Sequence, residues 1–234
     1  MLPADLRSAE GEAVLALNEA LAQTSNGRWT MELRFEGLKL LPLALRLLAA
    51  INPAERPARL LFPDAGAAAL ARRDAPDLAP QLGSLGEQLR RQEQEQDPSA
   101  GDLLVLVEPA QAEYEEVERL CQAHRGAVVL LNGRLEDAAV GIGSVARERR
   151  RGFLATWRAA YALLPLENGA LRLACPGPWE LYRLDADGYR LAASFDLKPD
   201  AEQQAEALRS EQGQGPDVAE GLRALDRFIG SLNN

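Results

Sequence analysis

The 234-residue chain has one histidine, His124, and only two cysteines, Cys121 and Cys175. A structural zinc site needs about four cysteine or histidine ligands, so this inventory excludes one, and we expect no metal or organic cofactor. The spacing of the cysteines does not decide between a disulfide and two thiols. The composition favours reduced and mostly buried thiols.

Long apolar segments are also missing. The longest candidate, residues 38–51, is interrupted by Lys39, Pro42 and Arg46, whereas a membrane-spanning helix needs about 20 apolar residues. The stretch Met1–Glu10 is polar and lacks the apolar core of a secretory signal. These absences predict a soluble, cytoplasmic protein without a transmembrane segment.

Positive charge is scarce, because 26 lysines and arginines face 35 aspartates and glutamates, and the formal net charge is −9. Nucleic acids and anionic membranes are polyanions, so this balance disfavours both as partners of the whole surface, and we expect no nucleic acid. A local exception is the arginine-rich run Arg147–Arg151. The apolar share of 47% and the charged share of 26% are those of an ordinary globular protein.

Helix and strand patterns alternate through the first 130 or so residues. Helices are predicted at Pro3–Gln23, from Pro42 to about Ala50, at Ala65–Arg73 with Asp64 as N-cap, and at Tyr114–His124. Strands are predicted at Arg28–Phe35, Ala58–Phe62, Leu103–Val107 and Ala127–Leu131. The alternation predicts an α/β fold with a Rossmann-like, mostly parallel sheet flanked by helices. The polar stretch Ala75–Ala100 contains the run Arg90–Gln96, which we expect to be a solvated helix or a loose, mobile insertion.

The pattern changes after Arg151. Four strands joined by short turns are predicted, namely Trp157–Leu166, Ala170–Ala174, Trp179–Leu184 and Tyr189–Phe195. They favour a C-terminal antiparallel meander, and the helical spacing in Asp217–Leu232 favours a closing helix. We predict one α/β domain over residues 1–234, with an alternating part (1–144), a meander extension (145–196) and a C-terminal helical segment (197–234).

The segment Val140–Arg151 is the best candidate for a binding element. Gly141 and Gly143 would let backbone N–H groups approach an anion, and a helix that starts near Ser144 would add its positive end. Arginines on the following turns could clasp a phosphate or a carboxylate, and Arg147, Arg150 and Arg151 are the candidates. The segment lacks the third glycine of a dinucleotide fingerprint and the lysine of a P-loop. The pattern therefore favours a glycine turn followed by a solvated basic helix face, and a contact with a protein or a membrane surface is a further alternative.

A second candidate cluster follows the strand that ends at Leu131. Asn132, Arg134 and Asp137 come directly after this strand, and Asp64 follows another one. Ligands of open α/β sheets bind beyond the carboxyl ends of strands, so Asp64, Asn132 and Asp137 could meet in one polar crevice. Turn and capping chemistry explains the same residues without a ligand. No catalytic set is evident, since no nucleophile motif accompanies His124.

Several short motifs, in their order along the chain, resemble the cyanobacterial and chloroplast proteins grouped as domain-of-unknown-function family 1995. They cover roughly Leu2 to Phe195 and include Leu2-Pro3-Ala4-Asp5, Met31-Glu32-Leu33, Phe62-Pro63-Asp64-Ala65-Gly66, Leu131-Asn132-Gly133-Arg134-Leu135-Glu136-Asp137, Val140-Gly141-Ile142-Gly143, Arg150-Arg151-Gly152-Phe153-Leu154, Tyr161 with Leu164-Pro165-Leu166, and Gly177-Pro178-Trp179-Glu180-Leu181-Tyr182.

The resemblance implies a setting in oxygenic photosynthesis, since some plant members are named for low accumulation of photosystem II. It implies an auxiliary factor in the assembly of photosynthetic complexes and carries over no catalytic residue. We therefore expect a non-enzymatic factor that binds a protein, either a photosystem component or its assembly machinery, with peripheral association at the thylakoid membrane. The alternatives are a nucleotide- or anion-binding protein, including a degenerate enzyme with a Rossmann-like pocket, and a regulator of a soluble enzyme.

Overall fold

The structure is a computed structural model that describes residues 1–51, 57–94, 101–135 and 144–209, with residues 144–147 described by their backbone. The helices in these ranges are α1 Leu6–Gln23, α2 Leu40–Ala50, α3 Ala65–Asp74, α4 Leu85–Gln92, α5 Tyr114–Ala123, α6 Ser144–Leu154 and α7 Ala201–Arg209. The strands are β1 Arg28–Leu33, β2 Ala58–Phe62, β3 Leu82–Ser84, β4 Leu103–Val107, β5 Val128–Leu131, β6 Trp157–Leu166, β7 Gly169–Ala174, β8 Trp179–Asp185 and β9 Gly188–Phe195. They form one sheet in the order β3-β2-β4-β5-β1-β6-β7-β8-β9.

The first five strands make the parallel part of the sheet. β4 pairs with β2 on one side and with β5 on the other, and β1 pairs with β5, all in parallel. Every residue of β4 is buried, which is what a strand with helices on both faces requires. β1 alternates buried and half-buried residues. The predicted α/β class and mostly parallel core are confirmed.

Three helices cover one face of these strands with a shared apolar cluster. The cluster joins α4, α5 and α6 to alternate residues of β2, β4 and β5, and its buried members are Leu61, Leu85, Leu89, Leu104, Leu106, Tyr114, Val117, Leu120, Cys121, Val128, Leu130, Leu135 and Phe153. Helices α2 and α3 also contact β2. Because side chains of a strand alternate between faces, Leu60 and Phe62 face away from Leu61 and its cluster.

The polar stretch 75–100, in which no strand was predicted, contains regular structure in its first half. A short 3-10 helix, Pro76–Gln81, leads into β3, which pairs in parallel with β2, and α4 follows. Ser84 starts α4 through a capping box, because its hydroxyl accepts a hydrogen bond from the Glu87 N–H at 3.2 Å while the Glu87 carboxylate accepts one from the Ser84 N–H at 3.0 Å. The three residues of β3 are too few to show an alternation pattern. The charged residues of α4 make its apolar face hard to recognise from the sequence. Residues 95–100 lie outside the described ranges.

The last four strands form the predicted antiparallel meander. β6 pairs with β7, β7 with β8, and β8 with β9. One face of the meander carries a second cluster, with Ala162, Leu171, Leu173, Trp179 and Leu181 buried in it and α7 packed against it. The predicted helix at Asp217–Leu232 lies outside the described residues.

Contacts divide the chain into two compact units. The meander unit comprises Met1–Ala20, Glu32–Lys39 and Ala159–Asn234, and the parallel unit comprises Leu21–Met31 and Leu40–Arg158. The predicted single domain stays a prediction. Within the described residues, no helix combines the length and the apolar character needed to cross a bilayer.

Candidate functional site

Asp64 follows β2 and caps the next helix. Its backbone is extended (φ −130°, ψ 166°), and its side-chain Oδ1 accepts a hydrogen bond from the Ala67 N–H at 2.9 Å. The side chain is exposed. The predicted capping role is therefore confirmed, and one carboxylate oxygen is already used for it.

Asn132 follows β5 in a left-handed conformation with φ 53°. Its N–H donates to the Met31 carbonyl at 2.8 Å, which ties this turn to β1. β4 lies between β2 and β5 in the sheet, so the ends of the strands that precede Asp64 and Asn132 are two strand spacings, about 10 Å, apart. The two residues do not adjoin, and Asp137 lies outside the described residues.

Glu108 occupies the position between them, at the end of β4, and was not singled out from the sequence. It also has a positive φ, 52°, and its Oε1 is 3.4 Å from Nη2 of Arg134 in an exposed ion pair. The Arg134 N–H donates to the Pro109 carbonyl at 2.8 Å, so the loops after β4 and β5 are joined. The same signal that marked Asn132, a polar residue directly after an apolar strand, could have identified Glu108.

The strand order places a topological switch beside Glu108. From β2 the chain continues to β3 on one side, whereas from β4 it continues to β5 on the other side. In open parallel sheets, ligands bind at the carboxyl ends of two such strands. The described polar residues at this position are the capping Asp64 and the ion-paired Glu108, so both have local partners there.

α6 begins at Ser144, as predicted. Gly141 and Gly143 lie outside the described residues, and the side chains of Ser144 and Arg147 are not described. The binding role assigned to this turn therefore stays a prediction. The arginines farther along α6 are described, and their surroundings differ.

Arg149 is held by a buried carboxylate of α5. Its Nε is 3.0 Å from Oε1 of Glu118 and its Nη2 is 2.6 Å from Oε2, a bidentate pair. The Glu118 side chain is only 5% exposed, whereas that of Arg149 is 66% exposed. The hydrogen bond from Arg149 to Glu118 raises the pKa of the guanidinium. Arg149 thus neutralises a buried charge and fastens α6 to α5.

Arg150 begins a ladder of aromatic and cationic groups. Its guanidinium carbon lies 4.5 Å from the centroid of the Tyr114 ring. Tyr114 meets Phe153 edge to face at 5.6 Å, and Phe153 meets Trp157 in the same way at 5.8 Å. Contacts of this kind stabilise the packing beyond the area they bury. Arg150, a predicted contact residue, therefore packs on the protein's own core.

Arg28 adds a second cation to this ladder, at the carboxyl end of α6. Its guanidinium carbon lies 5.1 Å from the Phe153 ring centroid, and its nitrogens donate to the Thr156 hydroxyl at 2.9 Å and to the Cys121 carbonyl at 3.2 Å. The Cys121 carbonyl belongs to the last turn of α5, where a cation is favoured. Arg151, by contrast, is exposed.

The single histidine and the buried cysteine both serve the fold. Nε2 of His124 lies 2.8 Å from the carbonyl oxygen of Asp102, which connects the end of α5 to the start of β4. Burial raises the pKa of the Cys121 thiol to about 12, so the thiol stays protonated at neutral pH. Both cysteines are free. No group of three or more potential metal ligands occurs among the residues that the structure describes.

Comparison with known families gives one match over most of the chain. Residues 3–206 match the family described as Domain of unknown function (DUF1995). A comparison with curated proteins finds no match.

Proposed function

This chain belongs to the family described as Domain of unknown function (DUF1995), and we propose that it is a non-enzymatic auxiliary factor in the assembly of photosynthetic complexes of the photosystem II type. It acts by binding a protein, either a photosystem component or part of the assembly machinery. The photosynthetic setting of the proposal rests on the resemblance of the sequence motifs. The binding role rests on the arrangement of charges in the parallel unit.

The observation that supports the binding role is that the described arginines of α6 differ in their contacts and in their exposure. Arg149 and Arg150 are engaged with Glu118 and Tyr114 of α5, whereas Arg151 is exposed and has no ion pair with a described carboxylate. An unpaired cation on a chain with a net charge of −9 attracts an acidic partner locally while the rest of the surface repels it. Such an arrangement supports selective docking.

The state of the reactive side chains also supports binding over catalysis. A cysteine acts as a nucleophile through its thiolate, and the raised pKa of Cys121 leaves almost none of it at neutral pH. His124 is engaged with the Asp102 carbonyl. Cys121 is buried, and Nε2 of His124 already has a partner, so neither group is placed as a nucleophile or a general base would be. The protein works in the cytoplasm, with peripheral contact to the thylakoid membrane through its partner.

Affinity purification of the full tagged chain from photosynthetic cells, followed by mass spectrometry, tests this function. We expect subunits or assembly proteins of a photosynthetic complex to be enriched over a mock purification. Enrichment of a soluble metabolic enzyme would favour regulation of that enzyme and overturn the assembly role. The assembly role is also overturned if no protein is enriched over the mock purification.

A second candidate function is the binding of a nucleotide or another small anion. It is favoured by one observation: α6 starts at Ser144, so Gly141 and Gly143 directly precede the amino end of an 11-residue helix in the sequence. A thermal-shift screen with nucleotides and inorganic phosphate tests it. A ligand at about 100 times its dissociation constant raises the free energy of unfolding by about 2.7 kcal/mol. A flat screen contradicts this candidate for the compounds used.

A further inference from the structure

Three arginines from distant parts of the sequence lie on elements that Arg28 joins at one end of the parallel unit. Arg125 follows α5, Arg151 lies in the last turn of α6, and Arg158 is the second residue of β6. All three are exposed. We call these three residues the arginine surface. Of the three, only Arg151 belongs to the arginine-rich run Arg147–Arg151 that the sequence had marked as a candidate binding element.

Arg28 holds the elements of this surface together. Its two hydrogen bonds go to the Cys121 carbonyl, four residues before Arg125, and to the Thr156 hydroxyl, two residues before Arg158. The Thr156 hydroxyl in turn donates to the Phe153 carbonyl at 2.6 Å. The carboxyl ends of α5 and α6 and the start of β6 are thereby fixed around one guanidinium.

Arg158 is fixed by its own contact. Its guanidinium carbon lies 4.1 Å from the centroid of the Trp29 ring, and the ring itself is only 2% exposed. A cation stacked in this way loses little conformational entropy when a partner binds it. Its hydrogen-bond donors remain available at the surface.

The positive charge of the surface is not cancelled internally. Within the described part of the chain, none of Arg28, Arg125, Arg151 and Arg158 forms an ion pair with a carboxylate. Two acidic residues lie on or beside the elements of this surface: Glu148 is one turn before Arg151 on α6, and the backbone carbonyl of Asp102 meets His124, the residue before Arg125. Glu93, near the end of α4, is paired with Arg119 at 3.5 Å.

We propose that the arginine surface binds an acidic segment of a protein partner, an inference that rests on the docking role proposed above and specifies its partner. Guanidinium groups recognise carboxylates bidentately. Arg28 supports the surface from within, as a positioning residue. Arg125, Arg151 and Arg158 contact the partner.

Two other polyanions fit the surface less well. Single-stranded nucleic acid needs exposed aromatic rings for stacking, but Trp29 and Phe153 are buried beneath the arginines. An anionic membrane needs an apolar anchor beside the charges. The large exposed apolar residues of the described chain lie outside β1, α5 and α6, at Met1, Leu15, Leu70, Leu184, Leu191 and Leu197.

Titration of the full chain with a fluorescent peptide of eight consecutive glutamates tests the proposal, with an eight-glutamine peptide as the uncharged probe. The variant R125E/R151E reverses two charges of the surface, and R7E/R209E makes the same change in net charge at exposed positions of the meander unit. We expect the glutamate peptide to bind the wild type and the control alike. Its affinity for R125E/R151E should fall about tenfold or more. The glutamine peptide should not bind.

The proposal is overturned if the glutamate peptide fails to bind the wild type, or if both double variants bind it equally. It is also overturned if phosphatidylglycerol vesicles or a single-stranded oligonucleotide bind the surface while the peptide does not. If R125E/R151E unfolds, the neutral variant R125Q/R151Q replaces it and should show a smaller loss of affinity. This titration uses purified protein only, so its failure leaves the purification test of the assembly role unaffected.

Discussion

Arg149, Arg150 and Arg151 are adjacent in sequence, yet each lies in different surroundings. A helix turns by about 100° per residue, so three neighbours cannot share one environment. Arg149 reaches Glu118, Arg150 stacks on Tyr114, and Arg151 is exposed. The charge run therefore combines two structural residues with one residue that can contact a partner.

The Arg149 pair gives a prediction about stability. Replacing Arg149 with alanine leaves the Glu118 carboxylate buried without its cation, which costs more than losing an exposed pair. Urea unfolding should show a lower midpoint for R149A and an unchanged midpoint for the matched variant R151A on the same helix. Adding E118Q to R149A should recover part of the loss. Equal midpoints for R149A and R151A would contradict this role of Arg149.

Glu87 gives a prediction about pH. Hydrogen bonds from Arg72, with Nη2 at 2.6 Å from Oε2, lower the pKa of this carboxylate. As the pH falls, Glu87 therefore takes up a proton in the unfolded chain before it does so in the folded protein. The stabilisation is complete above the ordinary glutamate pKa of about 4.3 and is lost as the pH falls through the lower value of the folded state.

The variant E87Q lacks this charge, so its free energy of unfolding should change less than that of the wild type as the pH falls below about 5. The difference should be at most about 1 kcal/mol, because the pair is partly solvated. Chemical denaturation at several pH values measures the difference. E19Q, at an exposed position of α1, is the control and should follow the wild type. If E87Q and E19Q give the same pH profile, the Arg72–Glu87 pair does not stabilise the fold.

At the scale of elements, the sequence predicted best where burial leaves a simple pattern. β4 is five apolar residues buried throughout, and its bounds agree with the prediction. β3 was missed because three residues cannot display a period, although its pairing with β2 extends the sheet. A helix was expected only as an alternative for Arg90–Gln96, and the start of α4 was missed because its charged residues outnumber the apolar ones that it buries. Periodicity identifies long elements and fails for short ones whose packing comes from neighbours distant in sequence.

The hairpin of β7 and β8 gives a prediction at this scale. A Cβ atom on Gly169 would collide with the carbonyl oxygen of Tyr182 on the paired strand. G169A should therefore destabilise the protein by about 1–3 kcal/mol. Gly11, on α1, has no atom within 4 Å of its added Cβ, so G11A should be stabilising by about 0.5–1 kcal/mol. Thermal unfolding measures the stability of both variants. If G169A is as stable as G11A or more stable, the packing described for β7 is contradicted.

For the whole molecule, the site was less predictable than the fold. The sequence indicated that polar residues follow β2 and β5, but the order of strands, which sets β4 between them, depends on long-range pairing. Arg125 and Arg158 gave no signal, since each is isolated in sequence and meets the others only through the fold. The net charge of −9 is a sum over the whole chain, so it does not reveal a local surface of positive charge.

The most direct test of the account is a comparison of partners recovered by three tagged full-length chains in photosynthetic cells: wild type, R125E/R151E and R7E/R209E. Photosystem subunits or assembly proteins, quantified by mass spectrometry, should co-purify with the wild type and with R7E/R209E. Their recovery with R125E/R151E should fall about tenfold or more, at equal expression. Equal recovery from the two double variants would contradict docking through the arginine surface, and recovery of no photosynthetic protein with the wild type would contradict the assembly role.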